Sequence, residues 1–532
     1  MVDLKPDLKR SSSKDVIEDA LEDIQYESQP RLPPEAKQAA LAQALAVDPG
    51  LTPWSWRAVQ FYLFVLCACF CSGDTGFDGT VMGGVNAMAQ YQRYFGMSSA
   101  GASTGLVFGI YTVGALPSSY IPDKFGRRIG MVFGNCVAIT GSVITATATR
   151  RSVFIGGRFL TGFGTASAAI AAKAYLAEIT PPQTRGLFLG FLNSFFYVGQ
   201  MAATGMMVST GKWSSNLSWR LPLYIQVIPA SLNVLFVFFC PESPRWLYTI
   251  GKSEKSLEVL AKLHSKTNDT SSPLIKLEMN EIEETIQLGG GDKRWWDLRS
   301  LFRTRADRWR SGIAIMMGFF GQTVGNNLIT YFLPVLLGNA GITSQNRKLT
   351  LNFVNSVTSF IGALTGSSLA DRIGRRKLLI SATAGCVVAL TIVAGLLSKS
   401  GDSARSNAGI SFIYLFMVIF SFGWTPMQGI YAAEILSYEA RAKGLALVTI
   451  VSQVATCLNT FAMPVALQKI KWKVYLIFIV WDAIECIVMY FVLVETRGLT
   501  LEEIEEVFRQ PNPSKYSVEH RFMFKSQIVS EA

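Results

Sequence analysis

The sequence predicts an all-α polytopic membrane protein whose twelve transmembrane helices form two six-helix bundles. Half of the 532 residues are hydrophobic and only 16% are charged, whereas a soluble chain carries about a quarter charged residues. Twelve apolar stretches each approach the ~20 residues that a helix needs to cross ~30 Å of hydrocarbon. Two motifs also recur in the second half of the chain. These observations exclude soluble enzymes, collagen-like chains and disulfide-rich proteins.

Charged residues avoid the twelve apolar stretches almost completely. We place the spans at residues 59–82, 104–121, 129–149, 153–174, 187–210, 221–240, 311–338, 350–370, 378–398, 409–430, 444–467 and 474–494. The charged side chains within them are Asp74, Asp78, Arg158, Lys173, Asp482 and Glu485. Asp482 and Glu485 could face water or protein in the last span, and the sequence assigns them no role.

Basic residues indicate the orientation in the membrane. With a cytoplasmic N-terminus, twelve spans return the C-terminus to the same side, and that side then carries most of the 49 Lys and Arg residues. The positive-inside rule therefore predicts that both termini are cytoplasmic. The same distribution accounts for the net charge of +11 without nucleic acid as a partner. Residues 1–57 show no secretory signal peptide, so the first span is expected to direct insertion.

Cysteine and histidine provide no metal site or catalytic site. All eight cysteines fall on predicted spans, where they are expected to pack as small apolar side chains. The two histidines, His264 and His520, lie in polar segments. We therefore expect no metal, no cofactor and no enzymatic activity.

One long polar interruption divides the chain into two halves of six spans. The resulting organisation is a polar cytoplasmic segment 1–57, a first bundle 58–240, a cytoplasmic linker 241–310 with short amphipathic helices, a second bundle 311–495, and a cytoplasmic tail 496–532.

Two motifs occur once in each half. Asp123-Lys-Phe-Gly-Arg-Arg128 follows the second span and Asp371-Arg-Ile-Gly-Arg-Arg376 follows the eighth. Ala177-Glu-Ile-Thr-Pro-Pro-Gln-Thr-Arg-Gly186 closes the fourth span, and Ala433-Glu-Ile-Leu-Ser-Tyr-Glu-Ala-Arg-Ala-Lys-Gly444 closes the tenth. The repetition indicates two homologous halves. Such halves place a substrate site at their interface and expose it alternately to each side of the membrane.

The repeated motifs are candidate cytoplasmic gates, although basic clusters can also be simple topology signals. Glycine permits a tight loop, and Asp and Arg form charge-assisted bonds to helix ends that break when the halves move. We predict latches between Glu178 and Arg185, and between Glu434 and Arg441. The candidate gating residues are Asp123, Arg127, Arg128, Glu178, Arg185, Glu242, Arg245, Asp371, Arg375, Arg376, Glu434 and Arg441.

An ordered set of motifs resembles the sugar porter family of the major facilitator superfamily. The motifs are Gly76-Phe-Asp78, Asp123-Lys-Phe-Gly-Arg-Arg128, Gly157-Arg158-Phe-Leu-Thr-Gly162, Pro241-Glu-Ser-Pro-Arg-Trp-Leu247, Asp371-Arg-Ile-Gly-Arg-Arg376 and Val494-Glu-Thr-Arg-Gly498. Within the family, the chain looks like the fungal lactose, cellodextrin and hexose permeases. The resemblance implies a monomeric protein with the major facilitator fold that holds a sugar in the cleft between its bundles.

The family's substrate residues can be carried over to matching positions. The resemblance implies that amides, hydroxyls and aromatic rings replace the water around a sugar. The implied substrate residues are Asn193, Gln322, Asn326, Asn327, Tyr331 and Gln428. Two positions depart from the family pattern: Gly321 replaces one of two paired glutamines, and Gly429 stands where many members have a stacking tryptophan. For each polar residue, an interhelical hydrogen bond is the alternative interpretation.

Asp78 and Arg158 are candidates for proton coupling. Isolated charges within hydrocarbon are costly and usually functional. The pair could be a permanent ion pair between two helices. Alternatively, a carboxylate that loses its arginine when the halves move would take up a proton. The resemblance favours the second role, because proton-coupled family members use an Asp and an Arg at these positions.

The sequence therefore predicts a secondary active transporter that imports a mono- or disaccharide across the plasma membrane by alternating access, coupled to protons. Its expected partners are the substrate, protons and the lipid bilayer. One alternative is a facilitator or exporter of a polyol, a quinate-like acid or a specialised metabolite. Another is a transporter-like nutrient sensor, which the short C-terminal tail disfavours.

Overall fold

The computed structural model describes residues 43–116, 124–181, 184–290, 298–398, 403–437, 441–497 and 501–518. Its α-helices are α1 Trp56–Asn86, α2 Ala89–Phe95, α3 Ala102–Ala115, α4 Arg127–Thr147, α5 Arg151–Ile179, α6 Arg185–Thr210, α7 Leu217–Ile225, α8 Val227–Val237, α9 Pro244–Thr249, α10 Ser253–His264, α11 Pro273–Gly290, α12 Arg305–Thr323, α13 Asn326–Asn339, α14 Gln345–Ile373, α15 Arg375–Leu397, α16 Ser403–Ile435, α17 Arg441–Ile470, α18 Val474–Val492 and α19 Leu501–Arg509.

Helices α1 to α8 and α12 to α18 form the two predicted bundles. In the first bundle α4 packs on α5 and α1 packs on α6, and in the second bundle α15 packs on α16 and α18. The all-α fold class with two bundles of six spans is confirmed. Eight helical stretches of the described residues are long and apolar enough to cross a membrane by length and composition. Helix α14 is a more polar span, because it buries Asn352, Asn355, Ser356 and Ser359 inside the protein.

The seventh span is broken, which the sequence analysis did not predict. Instead of one helix over 311–338, α12 ends at Thr323 and α13 begins at Asn326. Gly325 between them has φ +100°, a left-handed conformation that side chains other than glycine rarely adopt. The break frees backbone groups of the span, and neighbouring polar side chains bind them.

The two bundles contact each other at the end where α1 stops and α3 begins, which we call the loop end. Gln345 of the second bundle accepts a bond from the backbone N–H of Ala89 at 2.9 Å and donates one to Gly211 O at 2.8 Å. Nearer the middle of the bundles, the hydroxyls of Thr112 and Thr460 lie 3.0 Å apart. The cleft between the bundles is therefore closed at the loop end.

The linker between the bundles docks on the opposite end, which we call the motif end because the repeated motifs lie there. Helices α9 to α11 form a small core around Leu260 and Ile275. The His264 ring bonds Glu278 through Nδ1, and its Nε2 donates to Ile179 O at 2.9 Å. Since Ile179 is the last residue of α5, the linker is attached directly to a membrane helix of the first bundle.

Candidate transport site and gates

Asp78 of α1 and Arg158 of α5 form a buried ion pair inside the first bundle. Arg158 Nη1 lies 2.6 Å from Asp78 Oδ1, and the two side chains are 2% and 0% exposed. The guanidinium also sits 4.6 Å from the centroid of the Tyr111 ring. Asp78 Oδ2 and Arg158 Nε have no hydrogen-bond partner among the described residues. The pair is thus joined by a single contact rather than the stronger two-point contact that Arg and Asp can form.

The ion pair adjoins the interface between the bundles. A Cβ atom at Gly79, the residue after Asp78, would lie 4.0 Å from the Tyr331 ring. At Gly83 a Cβ atom would lie only 2.8 Å from Tyr331 O, so this glycine lets α13 approach α1 closely. Tyr331, an implied substrate residue, is therefore placed beside Asp78.

The break in the seventh span collects amide and hydroxyl groups around Gln322. Its side-chain Oε1 accepts bonds from Asn327 Nδ2 at 3.2 Å and Thr456 Oγ1 at 3.1 Å. Its backbone oxygen accepts a bond from Asn459 Nδ2 at 2.8 Å. Asn326 Oδ1 is buried without a hydrogen-bond partner in the described chain. Sequence reasoning missed Thr456 and Asn459, although two polar residues three apart within an apolar span were a usable signal.

Gln428 occupies the space that the departure at Gly321 leaves. Gln428 Nε2 donates to Gly321 O at 3.1 Å. A Cβ atom at Gly321 would meet Gln428 Nε2 at 2.8 Å, so a glutamine at 321 would displace this side chain. In place of the missing family glutamine at position 321, the amide of Gln428 on α16 lies beside the backbone of Gly321.

Asn193 stands apart from this amide cluster. Its side chain is exposed and forms no hydrogen bond with the described residues. Tyr197, one helical turn further along α6, bonds Thr425 Oγ1 at 2.9 Å and Ser421 Oγ at 3.2 Å on α16. Since residues four apart share a helix face, Asn193 lies on the face of α6 that meets the second bundle, nearer to the motif end than Tyr197. Tyr197 is a cleft residue that sequence reasoning missed.

The first gate motif builds a network of charges at the motif end. Arg127 donates two hydrogen bonds to Glu178, from Nη2 to Oε1 at 2.9 Å and from Nε to Oε2 at 3.0 Å. Glu242 accepts from the backbone N–H groups of Arg127 at 3.1 Å and Arg128 at 3.4 Å, which places a carboxylate at the N-terminus of α4. Burial raises the pKa of Glu242. Gly126 has φ +100°, and a Cβ atom there would meet Glu242 Oε2 at 2.9 Å.

The second motif forms equivalent bonds at the corresponding positions of the second bundle. Arg375 Nη2 donates to Glu434 Oε1 at 2.9 Å, and its backbone N–H donates to Glu495 Oε1 at 2.9 Å. Gly374 has φ +99°, and a Cβ atom there would meet Glu495 Oε2 at 2.6 Å. Ser243 and Thr496 donate to Glu178 and Glu434 respectively.

Arg128 and Arg376 bind the ends of the sixth and twelfth spans. Arg128 donates to Val237 O at 3.2 Å and Phe238 O at 2.9 Å, and Arg376 donates to Tyr490 O at 2.6 Å. A cation at a helix C-terminus satisfies carbonyl groups that have no partner within the helix.

The pairings of Glu178 with Arg185 and of Glu434 with Arg441 are not formed in this structure, so the latches stay a prediction for the state in which the motif end is closed. Both glutamates bind the arginines of the repeated motifs instead. Arg185 donates to Thr180 O at 3.5 Å and Arg441 donates to Leu436 O at 3.4 Å, so each bonds the backbone just before its own helix. Burial lowers the pKa of Arg185, and nearby Arg245 lowers it further.

The contacts described for each motif network lie within one bundle. Arg127 and Glu178 both belong to the first bundle, whereas Arg375 and Glu434 both belong to the second. In this structure they therefore brace the bundles separately. Asp123 lies outside the described residues, and so does the side chain of Asp371.

Two bundles of six spans around a polar cleft define a membrane transporter rather than an enzyme. The family described as "Sugar (and other) transporter" matches residues 64–508, and the chain belongs to it. The chain is 27% identical over 476 residues to the high-affinity glucose transporter of Kluyveromyces lactis, covering 84% of this chain and 85% of the relative. It is 28% identical over 445 residues to the MFS-type transporter criB of Aspergillus cristatus, covering 81% and 90%.

Solved structures share the fold. The proton:xylose symporter XylE bound to 6-bromo-6-deoxy-D-glucose matches with a TM-score of 0.70 and 21% identity, covering 85% of this chain and 100% of the other. A partially occluded inward open conformation of XylE from E. coli matches with a TM-score of 0.69 and 19% identity, covering 83% and 99%. The resemblance to major facilitator sugar transporters is confirmed.

Proposed function

We propose that the protein imports a mono- or disaccharide across the plasma membrane together with a proton, by alternating access, with both termini in the cytoplasm. The observation that carries the proposal is the buried Asp78–Arg158 pair, which lies beside Tyr331 at the interface of the two bundles. A titratable carboxyl, that of Asp78, therefore lies next to the surface at which a substrate would bind.

Substrate binding is assigned to the polar lining of the cleft. Asn193, Gln322, Asn326, Asn327, Tyr331 and Gln428 supply donors, acceptors and one aromatic ring, the groups that sugar hydroxyls and ring faces require. The free Oδ1 of Asn326 is suited to accept a bond from a sugar hydroxyl. Gln322 and Asn327 already bond each other, so a substrate would have to replace or extend that contact.

Coupling is assigned to the single contact between Asp78 and Arg158. While the guanidinium is 2.6 Å away, it stabilises the ionised carboxylate. If movement of the bundles draws the two apart, the buried carboxylate loses its counter-charge and takes up a proton. The spare Oδ2 atom is where that proton would bind.

Gating is assigned to the motif networks acting on whole bundles. Under the predicted topology the loop end, where the bundles meet, faces outside and the motif end faces the cytoplasm. We infer that Arg127 and Arg375 keep each bundle rigid while the bundles rock, and that closure of the motif end brings the two networks together. The remaining gate candidates, including Arg245 and Arg441, would then act between the bundles.

The relatives support a sugar as cargo. The Kluyveromyces lactis relative is named a high-affinity glucose transporter, and the XylE structure is titled a proton:xylose symporter. A different cargo, such as a polyol, a quinate-like acid or a specialised metabolite, is the second candidate. Gly321 and Gly429 favour it, because both replace large family side chains with glycine, and a Cβ atom at Gly429 would meet nothing within 4 Å.

The deciding experiment is uptake of labelled sugars, polyols and quinate by transport-deficient cells, with and without a protonophore. Uptake of a sugar that concentrates in the cell and collapses with the protonophore is expected. Sugar uptake that ignores the protonophore would contradict coupling, and uptake of quinate or a polyol alone would establish the second candidate.

A further inference from the structure

Helix α18 carries two acidic side chains that the proposed transport cycle does not use. Asp482 and Glu485 lie one turn apart, and both are 0% exposed. Neither forms an ion pair within the described part of the chain. A buried carboxylate without a counter-charge is strongly disfavoured, and a second carboxylate beside it is disfavoured further. The two groups therefore cannot both be ionised in this environment.

The contacts of Thr323 are compatible with a proton on Glu485. Thr323 Oγ1 lies 2.8 Å from Glu485 Oε1, 3.1 Å from Phe319 O and 3.3 Å from Phe320 O. A threonine hydroxyl has one proton to donate but can also accept. When Thr323 donates to the backbone of its own helix, as threonines within helices often do, the short contact to Glu485 is satisfied only if Glu485 donates. This geometry fits a protonated Glu485.

Asp482 provides a second and independent indication. Both of its carboxyl oxygens are buried and have no hydrogen-bond partner among the described residues. An ionised carboxylate has two oxygens that require donors, whereas a neutral acid has a weaker demand and one donor of its own. Glu485 Oε2, one turn away, is also buried and without a partner.

Among the described residues, the helices around the pair supply no charge to compensate it. The titratable group that faces the pair is the Cys386 thiol of α15, and α12 contributes Thr323. The charged residues of the neighbouring helices lie towards their ends, for example Arg310 of α12, Arg376 of α15 and Lys469 of α17. Arg310 is thirteen residues from Thr323, or about 20 Å along an α-helix.

We propose that Asp482 and Glu485 form a proton-binding site in the second bundle, separate from Asp78 and Arg158, in which Glu485 presents its proton to Thr323. Thr323 ends α12, directly before the break and directly after Gln322. The protonation state of the site is thereby linked to the geometry of the broken seventh span. The site follows from burial and hydrogen bonding, so it holds whichever cargo the protein transports.

Infrared spectroscopy of the purified full-length protein in lipid nanodiscs tests the site at neutral pH. Wild-type protein is expected to show carbonyl absorption of protonated carboxyl groups that decreases in both Asp482→Asn and Glu485→Gln. Asp269→Asn is the control, because Ser271 bonds this exposed carboxylate and holds its pKa below the usual range. The control should lose only absorption of ionised carboxylate. If the α18 variants also lose only ionised carboxylate absorption, the proposal is overturned.

Thr323→Val keeps the test decisive if an α18 variant does not fold. Removal of the hydroxyl leaves the Glu485 proton without its acceptor, so one protonated carboxyl band should shift to higher frequency. An unchanged protonated-carboxyl region in Thr323→Val would overturn the proposal. Because no sugar is present in these measurements, their outcome is independent of the uptake experiments.

Discussion

Asp78 of the first bundle and the acidic pair of α18 in the second bundle are buried in opposite ways. In the first bundle, Asp78 lies 2.6 Å from the guanidinium of Arg158. In the second, Asp482 and Glu485 have no cationic partner in the described chain, and the polar contact they receive is the Thr323 hydroxyl. The homologous halves therefore share their gate networks, whereas Asp78 and the α18 pair are held inside the membrane differently.

The difference follows from position. Asp78 neighbours a glycine that packs against Tyr331 of the other bundle, so movement of the bundles can change its surroundings. Asp482 and Glu485 face α12 and α15, which belong to their own bundle. A carboxyl at a moving interface can exchange a counter-ion for a proton, whereas one inside a rigid bundle is stable only as a neutral acid.

The largest effect is expected from Asp78→Asn. The amide cannot take up or release a proton, so accumulation of substrate against a gradient should be abolished while exchange of bound substrate persists. Substrate-induced alkalinisation of the medium, recorded with a pH electrode during uptake, is the measurement. Its absence during robust wild-type uptake would reduce Asp78 and Arg158 to a structural ion pair and make the protein a uniporter.

Arg158→Gln should destabilise the protein by about 3–5 kcal/mol, because it leaves the Asp78 carboxylate buried without its partner. Chemical unfolding of the purified protein measures the free energy. The double variant Asp78→Asn/Arg158→Gln is the matched control and should recover most of the loss. Equal destabilisation of the single and double variants would show that packing of the guanidinium on Tyr111, rather than charge pairing, stabilises this region.

Gln322→Ala and Asn327→Ala should each weaken substrate binding by about 1–3 kcal/mol, or up to about a hundredfold in apparent affinity. The reason is that each removes a buried hydrogen-bonding group from the cleft. Uptake at low substrate concentration measures the effect, with Gln468→Ala, an exposed amide at the loop end, as the control. Normal uptake by both cleft variants would show that these amides only stabilise the helix break.

Arg375→Gln should cost about 2 kcal/mol of stability, since it removes a charge-assisted pair whose two side chains are 13% and 25% exposed. Arg441→Gln is the comparison and should cost less, because Arg441 donates at 3.4 Å to a backbone carbonyl. Thermal unfolding of both variants measures which one loses more stability. A larger loss of stability in Arg441→Gln than in Arg375→Gln would indicate that Arg441 contributes more to the gate than Arg375.

The smallest effect is expected from Glu485→Gln. An amide has the shape of a neutral carboxylic acid and can still donate to Thr323, so the free energy of unfolding should change by less than about 1 kcal/mol at neutral pH. This result would contrast directly with Arg158→Gln in the other bundle. A loss as large as that of Arg158→Gln would mean that Glu485 is ionised and that its charge stabilises the fold.

The class of protein, the number of spans and the duplication of the halves could be predicted from the amino-acid sequence. These properties depend on the length of apolar stretches and the spacing of motifs, which are local or periodic features of the chain. The sequence also indicated the importance of Asp78 and Arg158, because a charge in an apolar stretch is conspicuous without any structure.

Which side chains contact each other could not be predicted without the packing of the helices. Glu178 and Arg185 are seven residues apart in sequence, yet Glu178 binds Arg127 of another helix, because α4 and α5 pack side by side. Likewise, the break at Gly325 depends on the polar side chains that α17 brings to it. That no cation of the described chain lies beside Asp482 and Glu485 is a property of three packed helices. Such contacts depend on distances between elements far apart in sequence, and no local pattern of residues encodes them.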